Sequence, residues 1–254
     1  TWDSDTNTHG RNTAIGSKAG LNLTTADNSI FIGYLAGGIG TITGNENVVV
    51  GNEAGEDLTS GDSNVFLGQR AGRNVAGGAD NIIIGKEAGD ASASITSTVL
   101  IGKNAGGSIS DNTAVGSVLI GAQAGAAVTT GAGNTALGYQ AGTSISTANY
   151  NIAIGHQALA SMATGGGANV AIGYQCMTAM PSVANDNTAV GNLSMLGANH
   201  ADADQNTCVG SQSGKSLTSG NKNTFIGNEA ASTTFTTGTA CTVLGSESKP
   251  SASG

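Results

Sequence analysis

The chain has 254 residues, 41 of them Gly, with 10% charged and 4% aromatic residues and a net charge of −8, a length that suits one or two domains. Recurrent Ile, Leu and Val argue against disorder, Gly placed off a three-residue period argues against collagen, and the lack of any apolar run near ~20 residues argues against a membrane-spanning helix. The acidic balance lacks the basic footprint of a nucleic-acid binder, so neither nucleic acid nor membrane insertion is expected, and three Cys make no even disulfide framework.

Residues 1–11 form a lead-in. They open Thr1-Trp2-Asp3, without the charged leader and apolar run of a signal peptide. Asp3, Asp5 and Asn7 resemble the start of a calcium loop, but Ala14 stands where that loop needs Glu. A polar turn is expected there, and no metal.

A repeat then fills residues 12–249, leaving 250–254 as a tail. NTAIGSKAG at 12–20 returns as NVVVGNEAG, NVFLGQRAG, NIIIGKEAG, NTALGYQAG and NTFIGNEAA. The Gly after each apolar triplet serves as an anchor: Gly16, Gly33, Gly51, Gly68, Gly85, Gly102, Gly121, Gly138, Gly155, Gly173, Gly191, Gly210, Gly227 and Gly245, spaced 17–19 residues apart. One residue before the anchor is always Ile, Leu or Val, and three before it is always β-branched. Three after it is Ala, Ser or Cys; four before it, ten of fourteen repeats have Asn; four after it, nine have Gly. A further apolar residue follows near the seventh position, as in Leu58, Val75, Ile109 and Leu217.

The period is too short for the helix pairs of ~33–47-residue repeats, and Gly at this density disfavours helix by about 1 kcal/mol per residue relative to Ala. The expected fold is therefore all-β: a parallel β-solenoid of about 14 coils, each with a short strand before the anchor, a Gly turn and a second short strand. At ~4.8 Å per coil, the stack would be roughly 65 Å long.

Two residues before the anchor stand Ala14, Phe31, Val49, Phe66, Ile83, Leu100, Leu119, Ala136, Ala153, Ala171, Ala189, Cys208, Phe225 and Val243. All are apolar, and alternation puts them opposite Ile15 and its equivalents. The strand is then apolar on both faces, where a solvated face should be polar. This column is expected to face outward and meet further copies of the chain, as a homotrimer. Its Ala-rich stretch from Ala136 to Ala189 would narrow that interface. The alternative is a flattened coil that buries both faces itself.

The NTAIG and NTAVG units, with a small residue three positions on, resemble the head repeats of YadA-type trimeric autotransporter adhesins. NTALGYQAG and NIAIGHQAL are similar to repeat arrays of bacteriophage tail-fibre proteins, which often precede a self-cleaving chaperone domain. The resemblance covers 12–249. It implies a trimeric β-roll and a structural, adhesive role in a tail fibre or spike. The implied partners are a host-surface glycan or protein receptor and other fibre or baseplate proteins. The alternative is the head of a bacterial surface adhesin. The period here is longer than in YadA-type repeats, which leaves handedness open, and no anchor barrel, stalk or chaperone domain is read within these residues.

No enzyme is expected and no cofactor. His9, His156 and His200 are scattered in the repeat, and Cys176, Cys208 and Cys241 read as small, mostly buried residues. The I-G-x-x-A pattern also fits hexapeptide acyltransferases, which carry several hexads per coil where one is clear here. Thr24, Thr59, Thr129 and Thr218 share a column, the weak basis of an ice-binding alternative. The sharper candidate is a strip of Tyr139, His156 and Tyr174 beside Gln140, Gln157 and Gln175, with Gln123 in the same column. Rings against sugar faces and amides on hydroxyls would hold a glycan; otherwise the strip is a ladder that stiffens the turn or meets a neighbouring chain.

Overall fold

A computed structural model describes residues 10–91, 94–110, 114–162, 164–180, 184–197, 203–233 and 235–248. Each repeat contributes one three-residue strand that ends immediately before its anchor Gly. The chain divides into two compact units, residues 1–130 and 131–254. The first holds β1 (Thr13–Ile15), β2 (Ile30–Ile32), β3 (Val48–Val50), β4 (Val65–Leu67), β5 (Ile82–Ile84), β6 (Val99–Ile101) and β7 (Val118–Ile120). The second holds β8 (Thr135–Leu137), β9 (Ile152–Ile154), β10 (Val170–Ile172), β11 (Thr188–Val190), β12 (Thr207–Val209), β13 (Thr224–Ile226) and β14 (Thr242–Leu244). Within each unit consecutive strands pair in parallel, with like columns opposite one another, as in Ile82↔Val99 and Ala171↔Ala189. The fold is an all-β parallel β-solenoid, with one strand per coil.

The second strand expected in each coil is not formed. Around the later apolar residue, the described residues contain only an isolated bridge, Leu23↔Ile42. Leu58, Val75, Ile109 and Leu217 are nevertheless buried. They close the far side of the coil by burial, while the backbone there passes single hydrogen bonds to the next coil, such as Thr59 N–H to the Ala76 carbonyl.

Anchor glycines let the coils approach. Gly85 has φ +131°, and a Cβ there would lie 2.6 Å from the carbonyl carbon and oxygen of Gly102, one coil on. A side chain would push two backbones apart. That explains an invariant Gly better than local turn preference alone.

The structure reverses the expected assignment of the strand faces. Phe31, Val49, Phe66, Ile83, Leu100, Leu119, Ala136, Ala153, Ala171, Ala189 and Phe225 are fully buried within the single chain, and Val243 is 5% exposed. This column is the interior of the coil and cannot be an interface between chains. The outward columns are those one and three residues before the anchor. With both faces apolar, alternation shows that they differ but not which is inside.

A volume rule inside the coil settles the direction. Phe31 fills its coil so fully that a Cβ on Gly37, four residues past the anchor, would come within 2.6 Å of the ring. Ala153, Ala171 and Ala189 leave room, and in those coils Leu159, Met177 and Met195 take the place of that Gly and are fully buried. They occupy the left-handed backbone region, at φ 52–53°, which is costly for a bulky side chain. Filling the interior evidently outweighs that strain. Ala136 keeps its Gly142, and Ile145 reaches into the gap. The Ala-rich stretch therefore repacks the interior rather than narrowing an interface.

The Asn column ties each coil to the next. Asn64 is fully buried. Its backbone N–H and its Nδ2 both donate to Asn47 Oδ1, at 3.0 and 3.1 Å, and Nδ2 also donates to the Gly78 carbonyl at 2.8 Å. The same pattern joins Asn151, Asn169 and Asn187. Where the column holds Ser, the hydroxyl accepts instead: Asn47 N–H donates to Ser29 Oγ at 3.0 Å. Buried polar groups demand such partners.

Two outcomes follow. Ala171→Phe and Met177→Gly each lower the unfolding midpoint, by overpacking of about 1–3 kcal/mol and by cavity formation of about 2–5 kcal/mol; the double variant recovers much of the loss, as a double-mutant cycle in denaturant measures. Asn151→Ala costs about 1–3 kcal/mol for each buried group left without a partner, whereas Asn151→Ser costs less because Ser29 already performs the accepting role.

Candidate functional site

The outward face of the strands is the most extensive feature that the coil does not cover. Ile15, Ile30, Leu67, Ile82, Leu137, Ile152, Ile226 and Leu244 are exposed, Ile15 at 59% and Leu244 at 63%. Val48, Val50, Val99 and Ile101 are half-buried by their neighbours in the sheet. No charged residue stands in either outward column. In the first unit the column three before the anchor is almost wholly aliphatic, from Ile30 to Val118. In the second it turns to Thr at Thr188, Thr207, Thr224 and Thr242. Soluble chains rarely leave a contiguous apolar surface of this kind wet.

The aromatic strip lies in the second unit, two residues along the chain from the outward column. Tyr139 and His156 stack with ring centroids 5.2 Å apart, and His156 and Tyr174 at 5.3 Å, with interplanar angles of 28° and 21°. Beside them Gln157 Nε2 donates to Gln140 Oε1, and Gln175 Nε2 to Gln157 Oε1, each at 2.9 Å. Gln123 belongs to the other unit. The structure thus brings the expected strip together, and shows its groups spent largely on one another. The imidazole is flanked by a ring on each side, and the amides are engaged along the column. A sugar would find the tyrosine edges and outer faces, at half exposure. The arrangement suits a ladder that stiffens the turn.

The threonine column is also engaged in holding coils together. Thr24, Thr59 and Thr218 hydroxyls donate to the carbonyls of Ile42, Ala76 and Thr236 on the following coil, at 3.1, 2.9 and 3.0 Å. Cys176 and Cys208 are buried, and burial pushes both thiols up to about 12. They remain protonated at neutral pH and are poor nucleophiles. Cys241 is half-buried. His9, His200 and the Asp3–Asp5–Asn7 opening lie outside the described residues, as does the 250–254 tail. Among the described residues no group of His, Cys, Asp and Glu is placed to hold a metal ion.

Charged residues are concentrated in the first unit, and in two of its columns they alternate in sign. Glu53, Arg70 and Glu87 occupy one column, and Glu56, Arg73 and Asp90 another. Arg70 Nε meets Glu53 Oε2 at 2.7 Å, and Arg73 Nε meets Asp90 Oδ1 at 3.1 Å. In-register stacking would set like charges one coil apart, so alternation converts a repulsion into an ion pair. Burial raises the Asp90 carboxyl above its ordinary value, and Arg73 opposes that shift. At the first coil Arg11 Nη2 donates to Asp27 Oδ2 at 2.8 Å, and this bond is the chief cause that holds the Asp27 carboxyl below its ordinary value.

No protein-family profile, curated protein or solved structure matches the chain.

Because the folded-state value of Asp27 is depressed, its stabilisation is present above the ordinary value of 3.8 and fades as pH falls through the lowered one. Asp27→Asn therefore lowers the thermal midpoint at pH 7 and leaves it unchanged near pH 2, which melting curves at the two pH values will show.

Proposed function

We propose that the chain is a structural, adhesive section of a trimeric fibre or spike, of the kind found in phage tail fibres, that works by stiffness and multivalent attachment rather than by catalysis. The observation that carries the reading is the uncharged apolar face formed by the columns one and three before the anchor. Its best cover is another copy of the same chain. A face that repeats once per coil is matched, residue for residue, by a surface with the same repeat, and a partner built otherwise drifts out of step within a few coils. Fully covering an Ile or Leu contributes about 1.5–3 kcal/mol, and a smaller share where the side chain is already half-buried. Summed over a unit, this comfortably exceeds what ordering a rigid surface costs.

Closed cyclic symmetry keeps such a contact finite, and three chains about an axis give each face cover. Weak contacts to a host-surface glycan or protein receptor then act together, gaining avidity without new contacts. The head of a bacterial surface adhesin uses the same assembly, and flanking sequence separates the two settings.

Light scattering on the purified chain tests the assembly. The expected mass is three times 24.7 kDa. Ile82→Asp combined with Ile84→Asp places charge on the outward face without touching the coil interior, and shifts the particle toward the single-chain mass. A soluble single chain for the unaltered protein overturns the proposal.

A further inference from the structure

We infer that a shallow cleft in the second unit binds a neutral hexopyranose unit, with the ring of Tyr150 as its platform. The cleft has a volume of about 510 Å³ and opens over Gly167 and Ala168. It arises from a break in one column. Five residues before the anchor the backbone is left-handed in coil after coil, and the column holds small or polar residues such as Asn28, Ser63, Asp80 and Asp186. Tyr150 stands there instead, at φ 59°, in a conformation that a bulky residue seldom adopts.

Tyr150 is 68% exposed. Its ring lies over Gly133 on the preceding coil, where a Cβ would come within 2.8 Å of it. On the following coil the same column offers only the methyl of Ala168, so the ring stands as a wall with an open space beyond it. Tyr150 makes no ring stack among the described residues, unlike the Tyr139–His156–Tyr174 ladder, whose rings cover one another.

The opposite wall is polar and ordered. Asn185 Oδ1 accepts from Gly167 N–H at 3.0 Å, and Asp204 Oδ1 accepts from Asn185 N–H at 2.7 Å. These bonds fix both side chains and leave the second carboxylate oxygen of Asp204 and the carboxylate of Asp186 at the rim as acceptors. No Lys or Arg lines the cleft, which disfavours a phosphate or sulfate ligand. Its openness and scarcity of aliphatic side chains disfavour a lipid. One aromatic surface with planar amide and carboxylate groups beside it suits a polyol ring: C–H groups against the π face, hydroxyls to the acceptors.

The inference deepens the attachment reading and rests on it for the source of the sugar, but the two fail separately, since binding is read from the ligand and assembly from the particle mass. The probes are the methyl glycosides of glucose, galactose, mannose and N-acetylglucosamine, each titrated up to about 50 mM, a range that reaches millimolar dissociation constants, against the full chain, observed by saturation-transfer NMR. The expected result is transfer to at least one glycoside. Tyr150→Ala weakens it at least about tenfold, and Ala168→Phe, which fills the space, does the same. Tyr139→Ala leaves it unchanged. Tyr150 and Ala168 are surface positions, and an unaltered melting temperature confirms that both variants are folded. Absence of transfer to all four glycosides, or transfer that survives Tyr150→Ala, overturns the inference.

Discussion

Close approach of one backbone to the next is the constraint on which the rest depends. Within each unit the chain of one coil passes, at its anchor, so near the carbonyl of the following anchor that no side chain fits between them, as at Gly51 and Gly191. Once that distance is set, every column is set with it. Residues of like position must tolerate their own kind directly above and below. Asn does so by donating and accepting along the stack. The charged columns of Arg70 and Arg73 do so by alternating in sign. Aromatic residues do so by stacking.

The solenoid was legible because these requirements leave regular traces. The anchor Gly, the β-branched position three before it and the Asn four before it recur in a nearly constant period, and the structure places strand, turn and ladder where they fall. The faces were harder. Val49 and Val50 are equally apolar, and a strand apolar on both sides carries no polar residue to mark its outside. The missing signal was coupling between columns. Ala153 goes with Leu159, Ala171 with Met177 and Ala189 with Met195, while Phe31 and Phe66 go with Gly37 and Gly72. Residues that exchange volume share one enclosed space, and only the column two before the anchor does so.

The second strand was misjudged for a related reason. Leu58 and Val75 are spaced like strand residues, but they follow a run of left-handed turns, at Glu53 and Gly55 and at Arg70 and Gly72. The chain there curves too tightly to form an extended ladder, and burial does the closing. The strip of Tyr139, His156 and Tyr174 was readable as a column; its spending of ring faces on one another depends on the coil rise, which composition does not reveal. Tyr150 gave a quieter sign, as a large residue in a column otherwise small or polar.

The strands touch only the strands before and after them within each unit. Strength is therefore distributed, and no long-range clasp locks a unit as a whole. Under a pull along the stack, such a thread would come off one winding at a time. Each of 17–19 residues would release about 60 Å of slack at full extension, while the windings behind it stayed closed. A solenoid of this build would yield in small steps and dissipate a load gradually.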